Sequence, residues 1–147
     1  MDLLKHVALL HSSYRHLTGQ ELLSAATDHE SAVLQLQQAP FAVVSHGVEA
    51  DPIFNYANQT ALDLFEMTWE DFTQLPSRLS AEAMERSERE RLLQRVSKHG
   101  FVDDYSGIRI SSSGRRFLVT DATVWNLLDE SGLYQGQAAL LKHWQFL

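Results

Sequence analysis

The side chains that could carry chemistry in this 147-residue chain include seven histidines and nineteen acids, and their spacing excludes most of it. His6, His11 and His16 recur every five residues, which on a helix turns each about 140° from the last, so the three share no face. No stretch reads His-Glu-x-x-His, the spacing that puts two zinc ligands one helical turn apart. His99 closes a long polar stretch, where an imidazole complements a helix C-terminus. His29 falls on an apolar stripe and reads as a buried or interface histidine with one hydrogen bond. Asp103 and Asp104 are neighbours on a predicted strand, point to opposite faces and cannot act as a carboxylate pair. There is no Gly-x-Ser-x-Gly elbow for acyl transfer, and Ser111 to Arg116 reads as a hairpin turn rather than a phosphate loop. With no cysteine, the chain has no disulfide framework, no thiolate metal site, no thiol nucleophile and no route to a flavin–cysteinyl adduct. What remains is a polar group on neighbouring predicted strands: Tyr105, Arg109, Asp121, Trp125, Asn126 and Gln137.

Charge narrows the partners. The net charge is −7, and no Lys or Arg occurs from His16 to Ser77. Six bases then fall between Arg78 and Lys98 among four acids, a pattern expected of a solvated helix with Glu82–Arg86 and Glu85–Arg89 pairs. An acidic chain of this kind is not expected to bind nucleic acid directly, because duplex affinity comes largely from phosphate neutralisation. No apolar run approaches the roughly 18 residues of a membrane span, and the first residues are too mixed for a signal peptide. A soluble cytoplasmic protein is expected.

Those strands need a scaffold, and hydrophobic periodicity supplies it. Leu3, Val7, Leu10, Tyr14 and Leu17 form one helical stripe. Thr18-Gly19-Gln20-Glu21 matches a capping box that would open a second helix, with Leu22, Ala26, His29, Val33 and Leu36 as its stripe and Gln38 near its end. Phe41–His46 and Ile53–Tyr56 read as short strands, and Asn58 and Thr68 as caps of two short helices ended by Pro76. Ser80 to about His99 is a longer helix, with Gly100 after it and a break or true start near Ser87. Three strands follow: Phe101–Ile110, Arg115 to about Leu127, and Leu133 to about Phe146 with a bend at Gln135-Gly136-Gln137. In the second, Phe117, Val119, Asp121, Thr123 and Trp125 would share one face, and Leu118, Thr120, Ala122 and Val124 the other. The expectation is an α+β domain: a five-stranded antiparallel sheet with a helical crossover on one face, preceded by two amphipathic helices. Residues 1–39 form the N-terminal helical segment and 40–147 the domain proper.

This element order resembles a PAS domain, and Ile53-Phe54-Asn55-Tyr56-Ala57-Asn58-Gln59-Thr60-Ala61-Leu62 is similar to its strand-to-helix signature. More specifically the chain resembles the PAS-like MEKHLA family. The resemblance rests on Asp51–Asn58, Met67-Thr68-Trp69-Glu70, Leu75-Pro76-Ser77-Arg78, Asp104–Ser111, Gly114–Phe117, Val124-Trp125-Asn126-Leu127 and Gly136–Ala139. In plants this module is similar to the C-terminal part of class III homeodomain–leucine zipper factors, regarded as a regulatory sensor region. Without a homeodomain or zipper, the chain looks like a stand-alone, bacterial-type form.

The resemblance implies a cavity between the inner sheet face and the short helices. Its expected lining is Phe54, Tyr56, Tyr105, Arg109, Asp121, Trp125, Asn126 and Gln137, though strand parity leaves open which of them face inward. No cofactor is implied by name. Haem-binding relatives of this fold place an axial ligand near the position of His99, but a helix-end histidine is the simpler reading here. The expected function is a non-enzymatic sensory or interaction module for a small hydrophobic ligand or a regulatory protein. A small enzyme using the same cavity and a purely structural dimer are the alternatives. The two N-terminal stripes offer more apolar surface than one sheet face accepts, so a homodimer through those helices is expected.

Overall fold

The computed structural model describes residues 2–23, 28–81 and 83–147. The elements run α1 (Leu3–Thr18), α2 (His29–Gln37), β1 (Ala42–His46), β2 (Phe54–Ala57), α3 (Gln59–Phe65), α4 (Trp69–Phe72), a 3-10 turn (Ser77–Ser80), α5 (Ala83–His99), β3 (Phe101–Ile110), β4 (Arg116–Leu128), β5 (Tyr134–Leu141) and β6 (His143–Phe146). All strand pairs are antiparallel, in the order β2-β1-β5-β4-β3, with β6 also on β4. The first two strands therefore join the last meander strand through β1 and β5, as the element order requires.

The expected third meander strand is divided at Lys142 into β5 and β6. Both lie along β4, β5 against Thr123–Leu128 and β6 against Phe117–Thr120. The interruption sits opposite Asp121, whose φ of 53° places a non-glycine residue in the left-handed region. The inserted residue breaks the alternation of β4. Phe117 and Val119 share a core with Ala122, while Trp125 joins the opposite core. The single face expected for Phe117, Val119, Asp121, Thr123 and Trp125 is therefore two faces.

A second slip occurs between β1 and β2, where Ser45 pairs Tyr56 and His46 pairs Phe54, leaving Asn55 over. Phe54 and Tyr56, two residues apart, enter different cores.

Helices cover both faces of the sheet, the crossover helices on one, as expected, and the N-terminal pair on the other. On the outer face, α1 and α2 bury Val7, Leu10, Tyr14 and Leu36, joined by Leu22 from the segment between them, against Val43, Tyr56, Trp125, Leu127 and Leu140. On the inner face, α3 and α4 pack Ala61, Phe65 and Phe72 on Phe54 and Phe117, and α5 places Leu92 and Val96 on Val102 and Val124.

The helix caps differ from expectation at one point. Thr18 ends α1 rather than opening α2: Gly19 adopts φ 74° and its N–H returns to the Arg15 carbonyl at 2.9 Å. The Thr18 hydroxyl donates to the Tyr14 carbonyl at 2.7 Å, and Glu21 meets His11 at 2.7 Å instead of folding back on a cap. Asp28 caps α2, accepting from the Ser31 N–H at 2.7 Å. His29 is exposed, not buried, and Ala26 of the expected stripe lies outside the described residues. Asn58 and Thr68 cap α3 and α4 as read. The helix α5 runs unbroken through Ser87, and Gly100 follows it with φ 93°.

Candidate functional site

The inner face carries a polar row because of strand register. His46 of β1 pairs Gln137 of β5, which pairs Asn126 of β4, so three polar side chains lie side by side across the sheet. All three are buried. Asn126 donates to the Val96 carbonyl of α5 at 3.0 Å and accepts from the Gln137 amide at 3.0 Å. His46 Nδ1 lies 3.0 Å from the Gly47 carbonyl, which sets Nδ1 as the protonated nitrogen and leaves Nε2 an acceptor. Nε2 is buried with no hydrogen-bond partner among the described residues. Burial is the main cause that holds this imidazole below its ordinary range, opposed by the Gly47 bond and reinforced by Arg89.

Beside the row, the sheet, the Ser77–Ser80 turn and α5 enclose a cavity of about 60 Å³. Its apolar wall includes Val44, Phe54, Phe65, Leu92, Val124 and Leu141, and its polar groups include His46, Ser80, Arg89, Tyr105, Arg109 and Gln137. Two guanidiniums therefore border one small, mostly apolar space. Arg109 lies 5.3 Å from the Tyr105 ring centroid, in cation–π contact. The Tyr105 ring folds over Gly107, leaving no room for a side chain there.

Arg89 donates to the Ser77 hydroxyl, and only 7% of its surface is exposed. The expectation that the Arg-rich stretch forms a solvated helix fails at this residue. The expected Glu82–Arg86 and Glu85–Arg89 pairs involve side chains outside the described set. Arg95 pairs across to Asp104 of β3 at 3.6 Å rather than within the helix.

The structure brings together four of the eight expected lining residues: Phe54, Tyr105, Arg109 and Gln137. Asn126 stands behind Gln137 and positions it. Tyr56, Trp125 and Asp121 do not line the cavity. Tyr56 and Trp125 belong to the outer core, where Tyr56 meets Trp69 edge-on at 5.8 Å and Trp125 meets Tyr14 edge-on at 5.0 Å. The two parity slips put them there. Asp121 is exposed at the irregularity itself. His99 is exposed at the end of α5 and does not border the cavity.

Two site residues were missed by the sequence reading, and each had a signal. Arg89 stands three and seven residues before Leu92 and Val96, on the buried stripe of α5. His46 stands two residues after Val44, on the inward parity of β1. The Ser111–Gly114 hairpin is a turn, as read, and its Ser111 and Ser113 hydroxyls donate to the Glu66 carboxylate at the end of α3. Those bonds hold that carboxyl below its usual range.

A family model decides the wider affiliation: the MEKHLA domain matches residues 4–146. The chain belongs to the MEKHLA domain family. The match spans both N-terminal helices as well as the sheet. Among curated relatives, the MEKHLA chain is 30% identical over 132 residues to homeobox-leucine zipper protein ATHB-9 of Arabidopsis thaliana, covering 88% of this chain and 14% of that protein. This chain thus spans about a seventh of that relative's length. The match is to a plant protein and lends no support to a stand-alone, bacterial-type form.

Among solved structures, a PAS domain from Colwellia psychrerythraea superposes with a TM-score of 0.65 at 11% identity, covering 77% of this chain and 93% of that one. A PAS domain of a LuxR-family transcriptional regulator from Burkholderia thailandensis, solved in complex with ethanol, gives 0.57 at 18% identity, covering 78% and 95%. The MEKHLA domain therefore has the PAS fold. No helix among the described residues is long and apolar enough to cross a membrane.

Proposed function

We propose that this MEKHLA domain is a non-enzymatic, cytoplasmic sensory module that takes a small ligand into its inner-face cavity and reports occupancy to a regulatory protein. The observation that carries the reading is the cavity itself: an apolar wall with a few placed polar groups, roofed by α5. The Burkholderia thailandensis PAS domain, solved with a molecule as small as ethanol, supports a ligand of this scale. The route outward is short, because Val124 on the inner face and Trp125 on the outer face are adjacent in β4. A ligand that moves β4 or α5 also bears on α1, whose Ser13 hydroxyl donates to the Leu128 carbonyl and accepts from the Leu128 N–H at 3.2 and 2.9 Å.

A homodimer through the N-terminal helices is not part of this proposal. The middle of the α1 stripe, Val7, Leu10 and Tyr14, is buried within the chain, with Leu10 at 0% and Tyr14 at 4% exposure.

Native mass spectrometry of the protein from its own host tests the reading. A retained small molecule that is absent from Ala139→Leu, which fills the cavity, supports it. A molecule retained equally by that variant, or converted to product on incubation, overturns the sensory reading in favour of an unrelated site or an enzyme.

A further inference from the structure

Among the described residues, Arg89 is a buried cation without a matching anion. Its guanidinium has five donors, and among the described residues its side chain makes one hydrogen bond, to the Ser77 hydroxyl. Among the described residues no carboxylate lies within ion-pair distance of it. Asp51, one of the acids whose field reaches it, already pairs Arg78 at 3.1 Å. Burial lowers Arg89 to about 10, and the neighbouring Arg109 pushes the same way. An isolated buried charge costs several kcal/mol, and a second cation nearby adds to the cost. Proteins retain such a group where something of opposite sign completes it.

The cavity limits what that can be. Its polar groups nearest the charge are hydroxyls, an amide and a neutral imidazole, none of which supplies an anion. The remaining wall is aliphatic and aromatic, and the volume of about 60 Å³ is far below that of a drug-sized site, roughly 300–1,000 Å³. A phosphate, polar on every side, leaves the apolar wall unmatched. A planar carboxylate accepts two parallel N–H bonds from a guanidinium, and a short hydrocarbon tail covers the wall.

Building on the cavity reading above, we propose that the site binds a short-chain aliphatic monocarboxylate, its carboxylate on Arg89 and its tail against Val44, Phe54, Leu92 and Val124.

The test titrates the isotope-labelled full chain with sodium butyrate, 1-butanol and butylammonium chloride at one ionic strength, with sodium chloride as control. Amide shifts at Val124 and Ala139 report the cavity. Butyrate is expected to bind at least about tenfold more tightly than butanol, with butylammonium weakest. Arg89→Met removes the preference, leaving butyrate no tighter than butanol, and Arg89→Lys restores part of it. Equal binding of butyrate and butanol to the wild type overturns the carboxylate assignment while the cavity reading stands. So does a butyrate preference that survives Arg89→Met. If none of the three compounds shifts the cavity residues, both readings fall. Should Arg89→Met not fold, the wild-type comparison and Arg89→Lys decide alone.

Discussion

The two faces of the sheet are built from alternate residues of the same strands, yet they solve different problems. The outer face is closed. Tyr14, Tyr56 and Trp125 fill it with rings, and its buried polar groups are neutral and mostly matched in pairs. His6 bonds the Ser45 hydroxyl at 2.8 Å, and Ser45 donates to Asn55 at 2.5 Å. The inner face has smaller side chains in its centre, such as Ala122, Val124 and Ala139, and holds a cavity with a buried arginine beside it. Close packing of large rings stabilises; a gap rimmed by polar groups stabilises less and binds more. One sheet is therefore closed on one side, while on the other a packed cluster of Phe54, Phe65, Phe72 and Phe117 adjoins the candidate site.

The largest expected effect breaks both faces at once. Gly136 has φ 128°, and an added Cβ would collide with the His46 carbonyl oxygen of β1. Gly136→Ala is expected to cost about 4 kcal/mol or more, read as loss of the cooperative transition in denaturant. An unchanged midpoint would show that β1 and β5 do not approach this closely.

Next, Trp125→Ala should cost about 3–5 kcal/mol, because it empties the centre of the outer core. If the faces are separate in role, the same variant leaves ligand-induced shifts at Ala139 intact. Loss of those shifts in a protein that is still folded would merge the two faces.

Acid separates the faces by a different route. Burial lowers His6 to about 4 from its ordinary 6.5. The unfolded chain then binds the proton first as pH falls, so stability is full above 6.5 and declines from there down to about 4. The loss totals about 3 kcal/mol. Among the described residues no charged group pairs with this imidazole; Ser45 bonds it and the Tyr56 ring lies 5.6 Å away. Thermal melts from pH 7 to 4 should show the decline, and His6→Gln should flatten it. A slope unchanged in His6→Gln would move the titration elsewhere, with His46 of the inner face, also lowered by burial, the next group to replace.

The smallest expected effect concerns the irregularity that sorts residues between the faces. Asp121 holds φ 53°, which glycine adopts without steric cost. Asp121→Gly should stabilise the domain by about 1 kcal/mol or less, measured from the denaturation midpoint. Destabilisation would mean that the Asp121 side chain itself holds the interruption in place.

Much of the fold was legible in the sequence. The strand runs, the Asn58 and Thr68 caps, the serine hairpin and Gly100 depend on local conformational preference, which a few neighbouring residues set. Half of the site was legible too. Phe54, Tyr105, Arg109 and Gln137 followed from the resemblance and from strand position. Tyr56 and Trp125 were misplaced because alternation extrapolates only until a residue is inserted, and no local signal marks Asn55 or Asp121 as the inserted residue. Thr18 was misread for a related reason: the same Thr-Gly pair serves a helix start or a helix end, and the choice depends on which flanking turn is packed.

By itself, the sequence determined the kinds and order of the elements, because hydrophobic period and turn chemistry act over a few residues. It also excluded thiol chemistry, since no cysteine is present. Tertiary structure decided the rest. That α1 and α2 pack on their own sheet was decided by contacts between surfaces distant in the chain. Whether Arg89 met water or a cavity depended on how α5 rolled onto β3 and β4, a rotation set by Leu92 and Val96 meeting Val102 and Val124. Those contacts join residues far apart in the chain, and their energies exist only once the sheet has formed.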